Sequence, residues 1–338
     1  MHKSSTMNFD YLKSKNVLVT GAGGFIGSHL TEALLKYAAN VRAFVRYNSR
    51  NDWGFLEDLP QENKSCIDVI AADLRDFNAV KKETKNIDIV FHLGALIGIP
   101  YSLAYPNDAV ETNVLGTLNI LNASLENNVS KVIHTSTSEV YGTAQYTPID
   151  ERHPLSPQSP YAASKIAADK LAESFYRSYG LPVSILRPFN TFGPRQSLRA
   201  IIPTIICQLF KDNTLTVGNI KPTRDFTFVS DTVSGFLFIA KTEGIDGETF
   251  NLGTGNEISI NDLIEKIGGL LEVKPKIEVE SQRIRGNRSE VMCLISNNSK
   301  AKKELGWSPV YSLDEGLFTT IRWLKKRKNY GKPGIYNL

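Results

Sequence analysis

The amino-acid sequence predicts an α/β fold, a doubly wound parallel sheet with a smaller C-terminal lobe. Two observations carry that expectation. Through residue 187, short apolar runs alternate with segments whose apolar residues recur at helical spacing, the order that builds a parallel sheet covered on both faces. Beyond Arg187 the alternation gives way to shorter elements interrupted by Pro188, Gly193, Pro194, Pro203, Gly218, Pro222, Gly253 and Gly255, as in a lobe interleaved with the end of the sheet. The expected division is 1–187 and 188–338. With 41% hydrophobic and 22% charged residues over 338 positions, the chain can bury the core that one or two such units need.

The elements follow in order. Residues 16–20 form a short apolar strand that ends in a glycine-rich turn, Gly21 to Gly27, and residues 28–35 continue with apolar positions at helical spacing. Strands at 41–46, 67–71 and 87–92 follow, with helix-like segments between several of them. A helix at 108–128 leads to a strand at 131–135, and a helix at 160–179 leads to a strand at 182–186. Ligands of such sheets sit at the carboxyl ends of the strands, so a cleft between sheet and lobe is expected.

Composition narrows the function. The 39 Lys and Arg against 35 Asp and Glu leave a net charge of +4, too small and too dispersed for nucleic-acid binding. The basic run Lys325, Lys326, Arg327, Lys328 reads as the solvated end of a C-terminal helix. Cys66, Cys207 and Cys293 are far apart with no C-x-x-C pair, which argues against a disulfide framework or a metal site and fits a reducing cytoplasm. No apolar run approaches the ~18 residues of a membrane span, and residues 1–15 lack a signal-peptide core, so neither membrane nor secretion is expected. There is no internal repeat.

Gly21, Gly24 and Gly27 leave the first strand and open a helix, where a tight turn lets backbone N–H groups and the helix dipole face a pyrophosphate; this points to a dinucleotide. Asp73, just past the third strand, is placed to contact an adenine or to cap the next helix. An acidic residue near the end of the second strand normally takes a ribose 2′-hydroxyl, whereas an arginine accommodates a 2′-phosphate. Here that end has no carboxylate. Arg46 with Asn48, Ser49 and Arg50 either clamps a phosphate, which favours NADP over NAD, or is solvated loop.

Tyr161 and Lys165 stand one helical turn apart, where an ammonium can lower a phenol's pKa and make it a general base. Tyr11 and Lys15 repeat the spacing, so position is what distinguishes Tyr161: it lies on the helix after the fifth strand, while Thr135-Ser-Thr-Ser-Glu139 leaves that strand's carboxyl end. Together they can hold one substrate hydroxyl. His92 and His134, on apolar strands, read as core or cofactor-side groups, and Phe226, Phe228, Phe236 and Phe238 as core packing.

The segments TGAGGFIG, HLGA at 92–95, STSEVYG at 136–142, YAASK and RPFNTFGPRQ at 187–196 resemble the extended short-chain dehydrogenase/reductase family of nucleotide-sugar enzymes, from Asn16 to about Trp307. The resemblance implies a Rossmann-like fold with NAD(P)+ tightly bound and regenerated at each turnover. It matches Thr137, Tyr161 and Lys165 to the catalytic set, and Ser138 and Glu139 are counted with them as catalytic residues. Gly21, Gly24, Phe25, Ile26, Gly27, Arg46, Asp73, Leu74, Leu93, Ala95 and Asn113, together with Tyr161 and Lys165, match the cofactor contacts. Ser102, Asn190, Arg195, Arg224, Arg285 and Glu290 match the substrate contacts, and no metal is implied.

Ser138-Glu139 is similar to the pattern of the 4,6-dehydratases and of the UDP-glucuronate decarboxylases, where simple 4-epimerases carry small or uncharged residues. A carboxylate at Glu139 can remove a C5 proton acidified by a C4 ketone and then assist loss of the C6 hydroxyl, or it can merely orient a hydroxyl or cap a loop. Gly98 to Ser102, Arg195-Gln196, Arg285 and Glu290 look most like the bacterial N-acetylhexosamine nucleotide 4,6-dehydratases on the route to legionaminic acid and related amino sugars. The expected reaction is C4 oxidation, C5 deprotonation, loss of water from C6 and hydride return, on a UDP- or GDP-linked N-acetylglucosamine. A decarboxylase, a 4-epimerase and a non-catalytic nucleotide-sugar sensor are the alternatives. By the same resemblance the chain is a homodimer that pairs its 108–128 and 160–179 helices with those of a second copy.

Overall fold

The computed structural model describes residues 9–37, 39–284, 286 and 288–327. Six strands in chain order, β1 (Asn16–Thr20), β2 (Asn40–Arg46), β3 (Ile67–Ala72), β4 (Ile89–His92), β5 (Lys131–Thr135) and β6 (Val183–Pro188), make most of a seven-stranded sheet. The seventh, Thr249–Leu252, comes from beyond residue 188 and pairs with β6. All neighbours run parallel. Across the sheet the order is Thr249–Leu252, β6, β5, β4, β1, β2, β3, so the winding reverses between β1 and β4. In sheets of this kind ligands bind at such a reversal, at the carboxyl ends of the two strands.

Burial on both faces explains why the strands read as continuous apolar runs. In β1, Val17 and Val19 pack into one core with Leu30 and Leu34 of helix α1 (Phe25–Lys36), while Leu18 between them packs into the other with Phe44, Val90, Ile120 and Phe175. That alternation is the two-residue period of a strand. Phe226, Phe228 and Phe236 are buried in the first core and Phe238 packs against it, as expected.

The helix Pro160–Tyr179 matches its expected bounds because both ends are written locally. The Ser159 side chain accepts from Ala162 N, Pro160 takes the first turn, and Gly180 closes the helix at φ +68°. The segment expected as a helix at 108–128 is instead three pieces: Pro106–Val110, a π turn at Glu111–Leu115, and Gly116–Glu126. Thr117 Oγ1 donates to Asn113 O at 2.6 Å inside the wide turn, which puts Asn113 on the buried side.

Beyond β6 the helix Val229–Lys241 packs its buried face into the core that holds α1, and the remainder builds the lobe. There Thr214–Val217 pairs with Lys276–Val279, and Thr223–Arg224 lies between Ile258–Ser259 and Cys293–Leu294. Of the basic run at the C-terminal helix end, Arg327 is tied to Asp58 at 2.6 Å and lies over Trp323, so it is not a purely solvated group; Lys328 lies outside the described residues. Among the described residues no helix is long and apolar enough to cross a membrane, and no group of three His, Cys, Asp or Glu could hold a metal ion. The cysteines are free.

Trp307 joins the lobe's last segment to the helix Val229–Lys241. Its ring is fully buried and its Nε1 donates to Asp231 O and Ser234 Oγ at 3.0 and 2.9 Å. Trp307→Ala should lower the stability of the protein by about 3–5 kcal/mol, read as a shift of the urea unfolding midpoint at unchanged slope.

Candidate active site

Two backbone approaches at the end of β1 admit only glycine. Gly21 has φ +68°, and a Cβ there would stand 2.9 Å from the backbone of Gly94, which follows β4. A Cβ on Gly27, in the first turn of α1, would stand 2.2 Å from Gly21 O. The helix therefore starts hard against the turn, with Gly24 as its N-cap and Phe25 and Ile26 in its first turn. Gly23, which the glycine trio omits, receives a second lid: Phe55 N donates to Gly23 O at 2.9 Å, and a Cβ on Gly23 would meet Trp53 O at 2.5 Å. Its signal in the sequence was the extra glycine of GAGGFIG. Loop 47–58 thus covers the turn.

The flanks of this cradle differ in part from expectation. Asp73 does not cap a helix; Asp76 does, accepting from Asn78 N and Ala79 N. Both oxygens of Asp73 are held by Arg75, at 2.7 and 3.0 Å, which lowers its pKa, and Arg75 also reaches Asp108 and Glu111 at 3.4 Å. Arg46 ends β2 in an exposed position. Of the groups expected to clamp a phosphate with it, Asn48 bonds Asp52 N and O and Arg50 N, and Arg50 faces Asp52, so both are engaged within their own loop. Leu74 is buried, its Cδ1 in the space a Cβ on Gly94 would need, between Leu93 and Ala95.

Asn113 acts on that loop from beneath. Its Oδ1 accepts Leu96 N at 2.7 Å, and its Nδ2 donates to Leu96 O and Ser164 Oγ, both at 2.9 Å. Both amide protons are taken by the protein and the side chain is buried, so Asn113 ties the loop after β4 to the helix Pro160–Tyr179. Ser102 is held in the same way. Fully buried, it donates to Ile99 O and accepts Tyr161 N at 3.2 Å, which holds the start of the helix.

At the end of β5 the chain turns into a 3-10 segment, Ser138–Tyr141, capped by Thr137, whose Oγ1 accepts Glu139 N at 3.2 Å. This turn and the helix Pro160–Tyr179 bring Thr137, Glu139 and Tyr161 together: the Tyr161 side chain is hydrogen-bonded to Thr137 and feels the charge of Glu139. Ser138 is buried behind them. The expected lowering of the phenol by Lys165 is not observed. Burial raises the Tyr161 pKa, the Thr137 bond opposes the rise, and Glu139 and Asp169 add to it. Lys165, equally buried, is lowered to about 8, with the Asp169 carboxylate opposing the fall. Tyr11 and Lys15 form no such pair, because Tyr11 donates to Leu237 O and Lys15 lies toward Asp88.

His92 and His134 lie in the floor of the site and are neutral. Thr117 gives its proton to Asn113 O, so at 3.0 Å from His92 Nε2 it accepts, and His92 Nδ1 then takes the Thr20 proton at 2.8 Å. Burial lowers the pKa of both rings, that of His134 to about 4.

Asn190, on a short strand after β6, keeps a buried Oδ1 that accepts no hydrogen bond among the described residues, a group suited to a ligand's donor. Arg224 and Glu290 lie 3.9 Å apart, with Arg224 donating to Val291 O at 2.7 Å. Arg195 is anchored at one end of its guanidinium, while its buried Nη1 has no hydrogen-bond partner among the described residues. Its Nη2 binds Glu32 of α1 at 2.9 Å, and His29 Nε2 lies 2.9 Å from Pro194 O, so loop 193–196 clamps the cofactor-side helix. Arg285 lies outside the described residues.

A family model for GDP-mannose 4,6-dehydratase matches residues 18–320. The chain belongs to this family. It is an extended short-chain dehydrogenase/reductase, an enzyme of the NAD-dependent nucleotide-sugar dehydratase and epimerase group, as its sequence motifs implied. UDP-glucuronate 4-epimerase of Thermodesulfobacterium geofontis is 34% identical to it over 319 residues, 91% of this chain and 96% of the relative. DesIV, a dTDP-glucose 4,6-dehydratase from Streptomyces venezuelae solved with NAD bound, has a TM-score of 0.84 at 29% identity, covering 94% of this chain and 99% of that one. UDP-N-acetylglucosamine 4-epimerase from Methanobrevibacter ruminantium M1, solved with UDP-N-acetylmuramic acid, has a TM-score of 0.85 at 31% identity, covering 93% and 99%.

The Gly21–Gly27 cradle fits the dinucleotide of such a dehydratase-family enzyme, since Cβ atoms on Gly21 and Gly27 would collide with backbone that cannot move aside. Gly27→Ala should weaken NAD binding about tenfold or more, because overpacking by 1–3 kcal/mol falls on the turn itself. Dinucleotide released from heat-denatured protein, quantified by chromatography, measures this without any assay of turnover.

Proposed function

We propose that this dehydratase-family enzyme is a nucleotide-sugar 4,6-dehydratase that converts a UDP- or GDP-linked N-acetylglucosamine to its 4-keto-6-deoxy derivative. The observation that carries the reading is Glu139 in electrostatic reach of Tyr161, on the turn capped by Thr137. A 4-epimerase needs one acid–base group at C4 and rotation of the keto sugar, whereas a dehydratase needs a second base at C5. Similarity to a dTDP-glucose 4,6-dehydratase supports the dehydratase class, and similarity to a UDP-N-acetylglucosamine 4-epimerase supports the amino sugar.

In this reading Tyr161, beside Thr137, removes the proton of the C4 hydroxyl, with Lys165 one turn along the same helix. When bound, NAD(P)+ supplies the hydride acceptor that C4 oxidation requires and is regenerated in the cycle. Glu139 then takes the C5 proton, acidified by the neighbouring ketone, and returns a proton to the departing C6 hydroxyl so that water leaves. Ser138 supports the turn. Gly21, Gly24, Phe25, Ile26, Gly27, Asp73, Leu74, Leu93 and Ala95 line the dinucleotide, with Arg46 favouring NADP. Asn190, Arg224 and Glu290 face the nucleotide sugar. A homodimer is supported by Leu103, Tyr105, Val110 and Leu115, exposed along the segment that includes Pro106–Val110 and the π turn. Light scattering at micromolar concentration should return twice the chain mass.

Incubation of the purified protein with UDP-GlcNAc, GDP-GlcNAc or UDP-glucuronate, without added reductant, separates the reactions by mass. Loss of one water from an N-acetylhexosamine nucleotide is the expected result. Loss of carbon dioxide from the uronate, or a change at C4 without change of mass, overturns it. Glu139→Gln should reduce water loss about 10²–10⁴-fold while Tyr161→Phe abolishes all chemistry with dinucleotide retained; unchanged turnover in either variant rejects the assigned role.

A further inference from the structure

We propose that Gln158 is a positioning residue: its side-chain amide latches lobe segment 288–290 to the start of the helix that carries Tyr161, and so sets the affinity of the site for the nucleotide sugar. The inference rests on the reading of Glu290 and Arg224 as nucleotide-sugar contacts. Gln158 lies half-buried just before Ser159, the cap of the helix Pro160–Tyr179. Both ends of its amide are engaged, on different parts of the molecule. Oε1 accepts Thr143 N at 2.5 Å, while Nε2 donates to Arg288 O at 3.0 Å and to Glu290 O at 3.2 Å. A backbone N–H requires the oxygen and two carbonyls require the NH2 group, so these partners fix which way the amide points. Ser289 Oγ returns a bond to Gln158 O at 3.0 Å.

The side of Gln158 toward the turn after β5 is tightly packed. Ser156 N donates to Val140 O at 2.9 Å, and a Cβ on Gly142, at φ +64°, would stand 2.2 Å from Ser156 O and 2.9 Å from Gln158 Oε1. The exit of the turn that carries Thr137 and Glu139 therefore lies against the segment that leads into Tyr161. On the lobe side, Met292 N donates to Thr143 Oγ1 at 3.2 Å and Arg224 Nη2 to Val291 O at 2.7 Å, and Val291 is buried with Val140, Tyr141 and Phe189. Arg224 in turn stands 3.9 Å from Glu290. Residues 291 and 292 are thus anchored by packing and backbone bonds, whereas the carbonyls of 288 and 290 are held by Gln158. Loss of the two amide donors frees the stretch that carries Glu290. None of these contacts involves the Gly21–Gly27 turn, so dinucleotide retention is not expected to change.

Substitution separates the two ends of the amide. Gln158→Glu keeps an acceptor for Thr143 N but sets a carboxylate against two carbonyls, and Gln158→Ala removes both ends. Each should weaken binding of UDP-GlcNAc or GDP-GlcNAc about tenfold by calorimetry, with the content of bound dinucleotide unchanged. Amide hydrogen exchange, followed by mass spectrometry, should quicken over residues 288–292 in both variants. Native affinity in Gln158→Glu overturns the proposal, because the Thr143 bond alone would then suffice. Lowered thermal stability with unchanged affinity in Gln158→Ala, the mark of a merely structural contact, overturns it too, and so does unchanged exchange over 288–292. Should a Gln158 variant fail to fold, Ser289→Ala, which removes the bond to Gln158 O, decides in its place by the same two readouts. Absence of binding of both nucleotide sugars to the native protein counts against the substrate reading alone, and hydrogen exchange then decides the role of Gln158.

Discussion

The site depends on one buried ion pair. Asp169 and Arg187, both nearly without solvent contact, join the helix Pro160–Tyr179 to β6, the strand on whose far side the lobe's own strand pairs. In a low-dielectric interior such a pair persists when its donors and acceptors are largely matched; Arg187 and Asp169 Oδ2 are bonded, while Asp169 Oδ1 has only the approach of His134 Nε2 at 3.2 Å. Arg187 Nη1 donates to Tyr141 Oη at 2.9 Å, Tyr141 Oη donates to Asn251 Oδ1 at 2.7 Å, and Asn251 Nδ2 donates to Ile149 O. The chain of contacts runs from the helix Pro160–Tyr179 through the turn after β5 to the last strand of the sheet. Removing one partner of a buried pair costs about 3–5 kcal/mol, so the arrangement tolerates little drift.

That network sets the electrostatics of the groups above it. The Asp169 carboxyl is held down at about 2 because His134, Arg187 and Lys165 together outweigh its burial, and Arg187 is held charged in return. The folded pKa of Asp169 is depressed, so its contribution to stability is complete above its unfolded value near pH 4 and is lost as the pH falls toward 2. Over the neutral range the pair is fixed in charge. Burial lowers the pKa of neighbouring Lys165 to about 8, with the Asp169 carboxylate opposing the fall.

The parts of this arrangement that are local in sequence were legible there. Strand β1, the glycine turn and the helix Pro160–Tyr179 each carry their own boundary signals within a few residues, and Tyr161 and Lys165 are one turn apart on a helix whose caps are Ser159 and Gly180. The π turn at Glu111–Leu115 was not legible, since an apolar pattern near 3.6 residues per turn does not register one added residue. Two further side chains are held by distant partners. Ser102 is set by Tyr161, 59 residues away, and Arg195 by Glu32, 163 residues away. A polar residue in a glycine- and proline-rich loop has the same appearance in sequence whether it faces a ligand or ties two elements together. Partners at such separation decide which.

The Arg195 contact bears on how the two halves of the cleft relate. Loop 193–196 leaves the segment that carries Asn190, and it is pinned to α1 through Glu32 and the His29 contact with Pro194 O. Burial lowers the His29 pKa to about 4, so this ring is neutral and its contact with the carbonyl does not depend on a charge that physiological pH could remove. Arg195 itself occupies the left-handed region at φ +67°, a conformation that a residue with a Cβ adopts only when its surroundings hold it there. The start of α1 is also the dinucleotide cradle. Side-chain contacts of α1 thus tie the helix that opens at the glycine turn to the loop that follows Asn190.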